Sequence, residues 1–382
     1  MINKELLFKI AQDYGTPTYI YKLEHIQNNI NKLMQYLPTA QILYAVKANP
    51  NGAILKFLAQ NKVGAEVISM GELQRALAAG LSPENISLDG PRQDPELIEA
   101  AIKAGIKWVS LDSMSQWRLW QNFEHSKLKF FIRLNPALDP KTHPHLSTGA
   151  AESKFGMTLA ETELVAADLK AKGQLAGFHV HAGSQISDFA VYDEVLARLK
   201  PLFTKYGGEY INIGGGFHVP DFDFKAFAKI MNDFSDDLGL KIVTEPGRYL
   251  VADSGFLLTK VLHSKTGSLN HLICDAGMAD LIRPALYNGV HPIKAVSKSE
   301  NLTVYDVDGP LCENADRLAR AVSLPELESG DLLVISQAGA YGFTMSSNYA
   351  SSFRPAEVVI DNNEIKLVKK RETVEDLLRL EL

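Results

Sequence analysis

At 382 residues, with 46% apolar side chains, the chain has room for a large domain plus a smaller one and can bury a sizeable core. A formal net charge of -6 gives no general pull toward nucleic acid or an anionic membrane, so an anionic ligand must be held by local positive groups. Two cysteines, Cys274 and Cys312, exclude a disulfide scaffold, and neither a signal-peptide core nor an apolar run of ~18 residues is present, so a cytoplasmic protein is expected.

In chain order, a short helix over 5–12 and a strand over 17–21 precede a regular alternation. Helix 26–36 leads to strand 42–46, helix 54–60 to strand 65–68, and helix 72–79 to strand 86–88. Helix 95–104, strand 108–111, a helix from Met114 and strand 130–134 continue the pattern. It closes with helix 159–171, strand 177–181, helix 192–206, strand 210–213, helix 224–238 and strand 241–244. Short apolar strands separated by helices argue for a parallel sheet, and about eight repeats argue for a closed (β/α)8 barrel. After Pro246 the periodicity changes to strands over 255–262, 269–274, 303–307, 332–337, 356–360 and 364–368, with turns rich in Gly, Asp, Asn and Ser. The expected organisation is an α/β barrel over 25–246 and a second, all-β domain over 1–24 and 247–382.

Several unusual residues fall at predicted strand ends, where such barrels carry their active sites. Lys47 ends the run Gln41–Val46, and burial there would favour a nucleophilic amine. The alternative is a lysine whose stem packs on the strand while its head reaches water. His181 ends another strand, in HVHAGSQ (179–185). Gly214, Gly215 and Gly216 follow a third, where bare backbone N–H groups and a helix dipole suit a phosphate. A loop needed only for a tight connection is the alternative. Glu245 ends a fourth, in EPGR (245–248). An amine, a phosphate cradle, an imidazole and a carboxylate on one face suggest pyridoxal 5'-phosphate. Lys47 would carry it covalently, Gly214 to Gly216 with Ser184 would hold the phosphate, His181 would stack on the ring, and Glu245 would pair with the ring nitrogen. No metal is expected.

These motifs, together with others, carry a resemblance. YAVKAN (44–49), GAEVISMGEL (64–73), THPHLSTGAAESKFGM (142–157), NIGGGF (212–217), DAGMADLIRPALY (275–287), GPLCEN (309–314) and AGAYGFTMSSNY (338–349) span nearly the whole chain. In them the sequence resembles the fold-type III pyridoxal-phosphate decarboxylases, most closely the diaminopimelate decarboxylases. The resemblance implies a homodimer with shared active sites and an amino-acid substrate. It implies that Cys312 protonates the carbanion left by carbon dioxide, that Tyr341 contacts the cofactor phosphate and the substrate, and that Arg248, Arg283 and Tyr287 hold substrate carboxylates. Glu313 would accept a hydrogen bond from a distal ammonium. Glu66, with Arg133, is expected either to support charge at the cofactor or to form a structural ion pair.

Arg283 and Tyr287 stand where relatives acting on ornithine or lysine need a carboxylate, so a distal carboxylate is favoured and meso-2,6-diaminopimelate, giving L-lysine, is the expected substrate. Asn314-Ala315 replaces the Ser-Gly pair that usually follows Cys-Glu in the family. The alternative is a related decarboxylase for another carboxylate-bearing amino acid or conjugate, such as a siderophore, antibiotic or polyamine precursor, and behind it a catalytically silent regulatory paralogue. Residues 142–157, rich in Thr, Ser, Gly and Lys, would suit a mobile lid.

Overall fold

The computed structural model describes residues 2–137, 153–186, 188–296 and 301–382. The proposed lid falls mostly on 142–152, which lie outside the described residues. The chain forms two compact units, Asn28–Leu250 and Met1–Gln27 with Val251–Leu382.

The first strand, β1 (Thr18–Lys22), belongs to the second unit. The next eight form the first unit's closed parallel barrel: β2 (Gln41–Ala45), β3 (Gly64–Val67), β4 (Ile86–Leu88), β5 (Trp108–Leu111), β6 (Lys129–Arg133), β7 (Leu175–His179), β8 (Tyr210–Asn212) and β9 (Lys241–Thr244). Their apolar sequences follow from burial on both faces, since helices cover the outside and side chains fill the inside. One interior layer is apolar: Leu43, Trp108, Phe131, Ala176 and Val243 pack together, with Tyr210 against them. Nearer the C-terminal strand ends the buried side chains turn polar, with Glu66, Ser87, Ser110, Arg133, His179 and Asn212. Register aligns them, pairing Glu66 with Ser87, Arg133 with His179, and His179 with Asn212. Helix starts are set locally: Asn51 caps Gly52–Gln60, Ser69 caps Met70–Ala78, Asp94 caps Pro95–Ala104, and Thr158 with Glu161 forms a capping box on Leu159–Ala171.

Two strand ends differ from the sequence expectation in a way that matters. β2 stops at Ala45, whose N–H turns to Pro246 O (3.3 Å), so Lys47 sits in the 3₁₀ turn Val46–Ala48. β7 ends at His179, leaving His181 two residues beyond it.

In the second unit, β10 (Gly255–Lys265), β11 (Asn270–Cys274), β12 (Ile293–Ala295), β13 (Leu302–Asp308), β14 (Arg317–Pro325), β15 (Leu332–Ile335), β16 (Ala356–Asp361) and β17 (Glu364–Lys369) join β1. Their sheet order is β14-β13-β11-β10-β1-β16-β17, with β15 pairing β10 and β12. β1 is parallel to β16 and antiparallel to β10. The periodicity did not predict β12, β14 or the short helix Arg283–Tyr287. β14 is an edge strand with Arg317 and Arg320 among its residues and several exposed positions, so it lacks a clean apolar alternation.

Candidate active site

Lys47 is held by its turn. The Tyr44 hydroxyl donates to Asn49 O (3.0 Å), and the Asn49 side chain accepts from Asn51 N–H (3.1 Å). Gly247 lies beneath, where a Cβ would come 3.1 Å from the Cβ atoms of Ala45 and Ala48. The local sequence offered no partner for the ammonium, but the barrel supplies one. Glu66, one strand across in register with Ala45, accepts from Lys47 Nζ at 2.8 and 3.0 Å, and its side chain is only 2% exposed. Glu66 therefore faces Lys47, while Arg133 lies 3.6 Å from Asp112 and over the Phe155 ring.

The glycine loop packs tightly. Gly214 and Gly216 have φ of +63° and +88°, values that disfavour other residues. Added Cβ atoms would lie 2.8 Å from His181 Cδ2 at Gly214, 2.4 Å from Glu245 O at Gly215 and 2.0 Å from Gly183 O at Gly216. Asn212 Oδ1 accepts from Gly214 N–H (2.9 Å), but the N–H groups of Gly215 and Gly216 find no acceptor among the described residues. A bare-backbone cradle with free donors suits a phosphate. Ser184 follows Gly183 directly, and Arg248 opens the short helix Arg248–Val251 after the EPG turn.

Glu245 is buried, and its Oε1 accepts from Asn212 Nδ2 (2.5 Å). Burial, with Asp89 and Glu66 adding negative charge, pushes its carboxyl well above the ordinary range. The imidazole of His181 packs on Gly214, and desolvation holds it neutral, with Arg133 and Lys47 adding to the effect. An amine beside a carboxylate, a donor-lined cradle, a neutral imidazole and a buried carboxyl are the groups that pyridoxal phosphate needs. The residues therefore fit the cofactor.

Sequence reading missed a second set. His179 is buried with Nδ1 2.6 Å from Ser110 Oγ and 3.4 Å from Asp89 Oδ2, and Nε2 3.6 Å from Glu245 Oε2. Asp89 Oδ1 accepts from Ser87 Oγ (2.6 Å), and desolvation next to Glu66 pushes Asp89 up to about 7. The ligand-type atoms of Asp89, His179 and Glu245 all lie within 4.8 Å of one another.

The remaining predicted residues belong to the other unit. Cys312 is exposed, as is Glu313, which accepts from the Tyr349 hydroxyl. Their loop is organised by buried Asp316, which accepts from the N–H groups of Met278 (2.5 Å) and Leu311 (2.6 Å). At Gly277 and Gly309 a Cβ would meet that carboxylate at 2.4 and 2.3 Å, so both turns need glycine. Asp316 was also missed, although it stands four residues after Cys312. Arg283 and Tyr287 bound a one-turn helix capped by left-handed Asn288, with Arg283 Nη1 3.0 Å from His291 Nε2. Tyr341 sits at a positive φ of +57°.

The family model described as "Pyridoxal-dependent decarboxylase, pyridoxal binding domain" matches residues 23–252. The diaminopimelate decarboxylase of Deinococcus radiodurans is 37% identical over 383 residues, covering all of both chains. That of Aquifex aeolicus is 36% identical, covering 96% of this chain and 91% of its own. Among solved structures, diaminopimelate decarboxylase from Helicobacter pylori complexed with L-lysine superposes with a TM-score of 0.92 at 35% identity, covering 99% of each chain. The chain belongs to the pyridoxal-dependent decarboxylases, within the family of the diaminopimelate decarboxylases.

Proposed function

We propose that the chain removes one carboxylate of meso-2,6-diaminopimelate as carbon dioxide and yields L-lysine. The observation that carries this reading is full-length likeness to diaminopimelate decarboxylases across both units, at 35–37% identity. Bound pyridoxal 5'-phosphate supplies an electron sink for the pair left on the α carbon.

The chain's residues supply the rest. Lys47 Nζ anchors the cofactor, with Glu66 keeping the amine in place. The N–H groups of Gly215 and Gly216, with Ser184, Arg248 and Tyr341, hold its phosphate end. Glu245 would take the ring nitrogen, and His181 would offer its neutral imidazole to the ring. Cys312 Sγ gives its proton to the carbon that carbon dioxide leaves. Arg248, Arg283, Tyr287 and Tyr341 bind substrate, the guanidinium groups holding carboxylates in bidentate geometry. Glu313 accepts from the distal ammonium and gives up Tyr349 to do so. A loop that exposes both an acid and a recognition carboxylate on a rigid turn is suited to a second subunit, so the working form is a homodimer in which the partner's Cys312 and the partner's Glu313 complete each barrel's site. Among the described residues no helix is long and apolar enough to cross a membrane, and the enzyme acts in the cytoplasm.

The test is carbon dioxide release from meso-diaminopimelate set against L-lysine and L-ornithine. Release from diaminopimelate alone supports the reading, whereas release from lysine or ornithine but not diaminopimelate overturns the role of Arg283.

A further inference from the structure

Beside the ring-nitrogen ligand lie three side chains that the proposed function does not use. Asp89 follows β4, Ser110 lies in β5 and His179 ends β7, and the barrel closes them into a line running Asp89 Oδ2, His179 Nδ1, His179 Nε2, Glu245 Oε2. All four residues are buried, and neither Asp89 Oδ2 nor His179 Nε2 has a hydrogen-bond partner among the described residues. Such orphaned atoms are costly unless a proton or a small rotation pairs them. The gaps of 3.4 and 3.6 Å are slightly longer than hydrogen bonds, so a small rotation of the side chains closes them.

We propose that Asp89, His179 and Glu245 form a proton-sharing chain in which His179 passes one proton between the two carboxyls and so prepares Glu245 as a carboxylate for the cofactor's ring nitrogen. This rests on the proposed function for the identity of that ligand. The two states balance. In one, Glu245 Oε2–H donates to Nε2 and Nδ1–H donates to ionised Asp89. In the other, the Glu245 proton has moved to Nε2 and the Nδ1 proton to Asp89 Oδ2, so Nε2–H now donates to an ionised Glu245. The imidazole stays neutral in both, in keeping with its desolvation and the nearby charges of Arg133 and Lys47. Ser110 Oγ, at 2.6 Å, suits either tautomer because a hydroxyl both donates and accepts. In the second state Glu245 keeps two donors, Asn212 Nδ2 and His179 Nε2. Glu66 across from Asp89, Arg133 beside His179, and Lys47 and His181 nearby are the other charged or titratable groups facing the chain.

Asp89 and His179 are thus positioning residues, and the readout is the His179 tautomer rather than turnover. Ring nitrogen shifts of histidine-15N-labelled protein at mildly alkaline pH, with and without pyridoxal 5'-phosphate, give it directly. Cofactor-free wild type should show the Nδ1–H form and convert to Nε2–H on cofactor binding. In Asp89→Asn, Ser87 keeps the amide oxygen, the amide NH2 faces Nδ1, and Nε2–H should be present before any cofactor is added. A wild-type tautomer unmoved by the cofactor, or one unaltered by Asp89→Asn in the cofactor-free protein, overturns the proposal. Should the protein gain no visible absorption with the cofactor, the proposed function fails, while the cofactor-free comparison still decides whether Asp89 sets the tautomer. If Asp89→Asn does not fold, Ser87→Ala frees the carboxyl's other oxygen and should shift the cofactor-free tautomer balance; no shift overturns the proposal.

Discussion

Gly216 shows how much of the site is decided by what is absent from a side chain. Its φ of +88° and the 2.0 Å approach that a Cβ would make to Gly183 O leave no room for alanine without moving the loop. Strain of about 1–3 kcal/mol at such a position corresponds to an effect of roughly fivefold to 150-fold. Gly216→Ala should therefore weaken pyridoxal phosphate binding by about that factor in an absorbance titration, and unchanged affinity would show that this loop does not hold the cofactor. Lys47, His181, the glycines and Glu245 were legible in the sequence because each interrupts or ends a short apolar run. Ser110 and His179 were not, because a polar residue within a strand has no local signature. Asp89, just past β4, was hidden too: only the register around the barrel brings the three together. Asp316 was hidden for a different reason, since its partners are backbone N–H groups up to 38 residues away.

At the scale of elements, the barrel separates an apolar interior layer from a polar one, and the polar layer carries charge that burial opposes. Helix Met70–Ala78 begins beside it, and Glu72 in its first turn accepts from Ile68 N–H (2.9 Å). Desolvation is the main cause that pushes Glu72 up from the ordinary 4.5 to about 7, with Glu66 adding to it. A raised carboxyl is favoured protonated in the fold, so its contribution is fully present below about 4.5 and is lost as pH rises through about 7. Wild-type stability relative to Glu72→Gln should fall across that window by up to about 3 kcal/mol, read by denaturant midpoints at several pH values. Wild-type stability that stays constant or rises relative to Glu72→Gln across that window would contradict the burial argument. The barrel strands were readable because burial on both faces makes them continuously apolar. The ends of β4, β5 and β9 fall where expected, but that of β2 was not readable, since Ala45 turns to Pro246 O through a contact about 200 residues away in sequence, a separation that no local pattern reports.

For the whole molecule, the exposed Cys312 and Glu313 make the chain's own surface an argument for assembly. Lys47→Ala and Cys312→Ala should each be nearly inactive alone. Mixed and allowed to exchange subunits, they should regain about a quarter of wild-type activity per site, because random pairing yields half heterodimers with one intact site of two. No recovery with heterodimers present would mean that each chain completes its own site. The cofactor-holding roles of the glycine loop, His181 and Glu245 depend on Lys47 as the cofactor's anchor. Borohydride reduction of the protein loaded with pyridoxal phosphate, followed by peptide mapping, tests this: one pyridoxyl group should appear on Lys47 and none in Lys47→Ala, whereas a label fixed on another lysine would rule Lys47 out as the anchor.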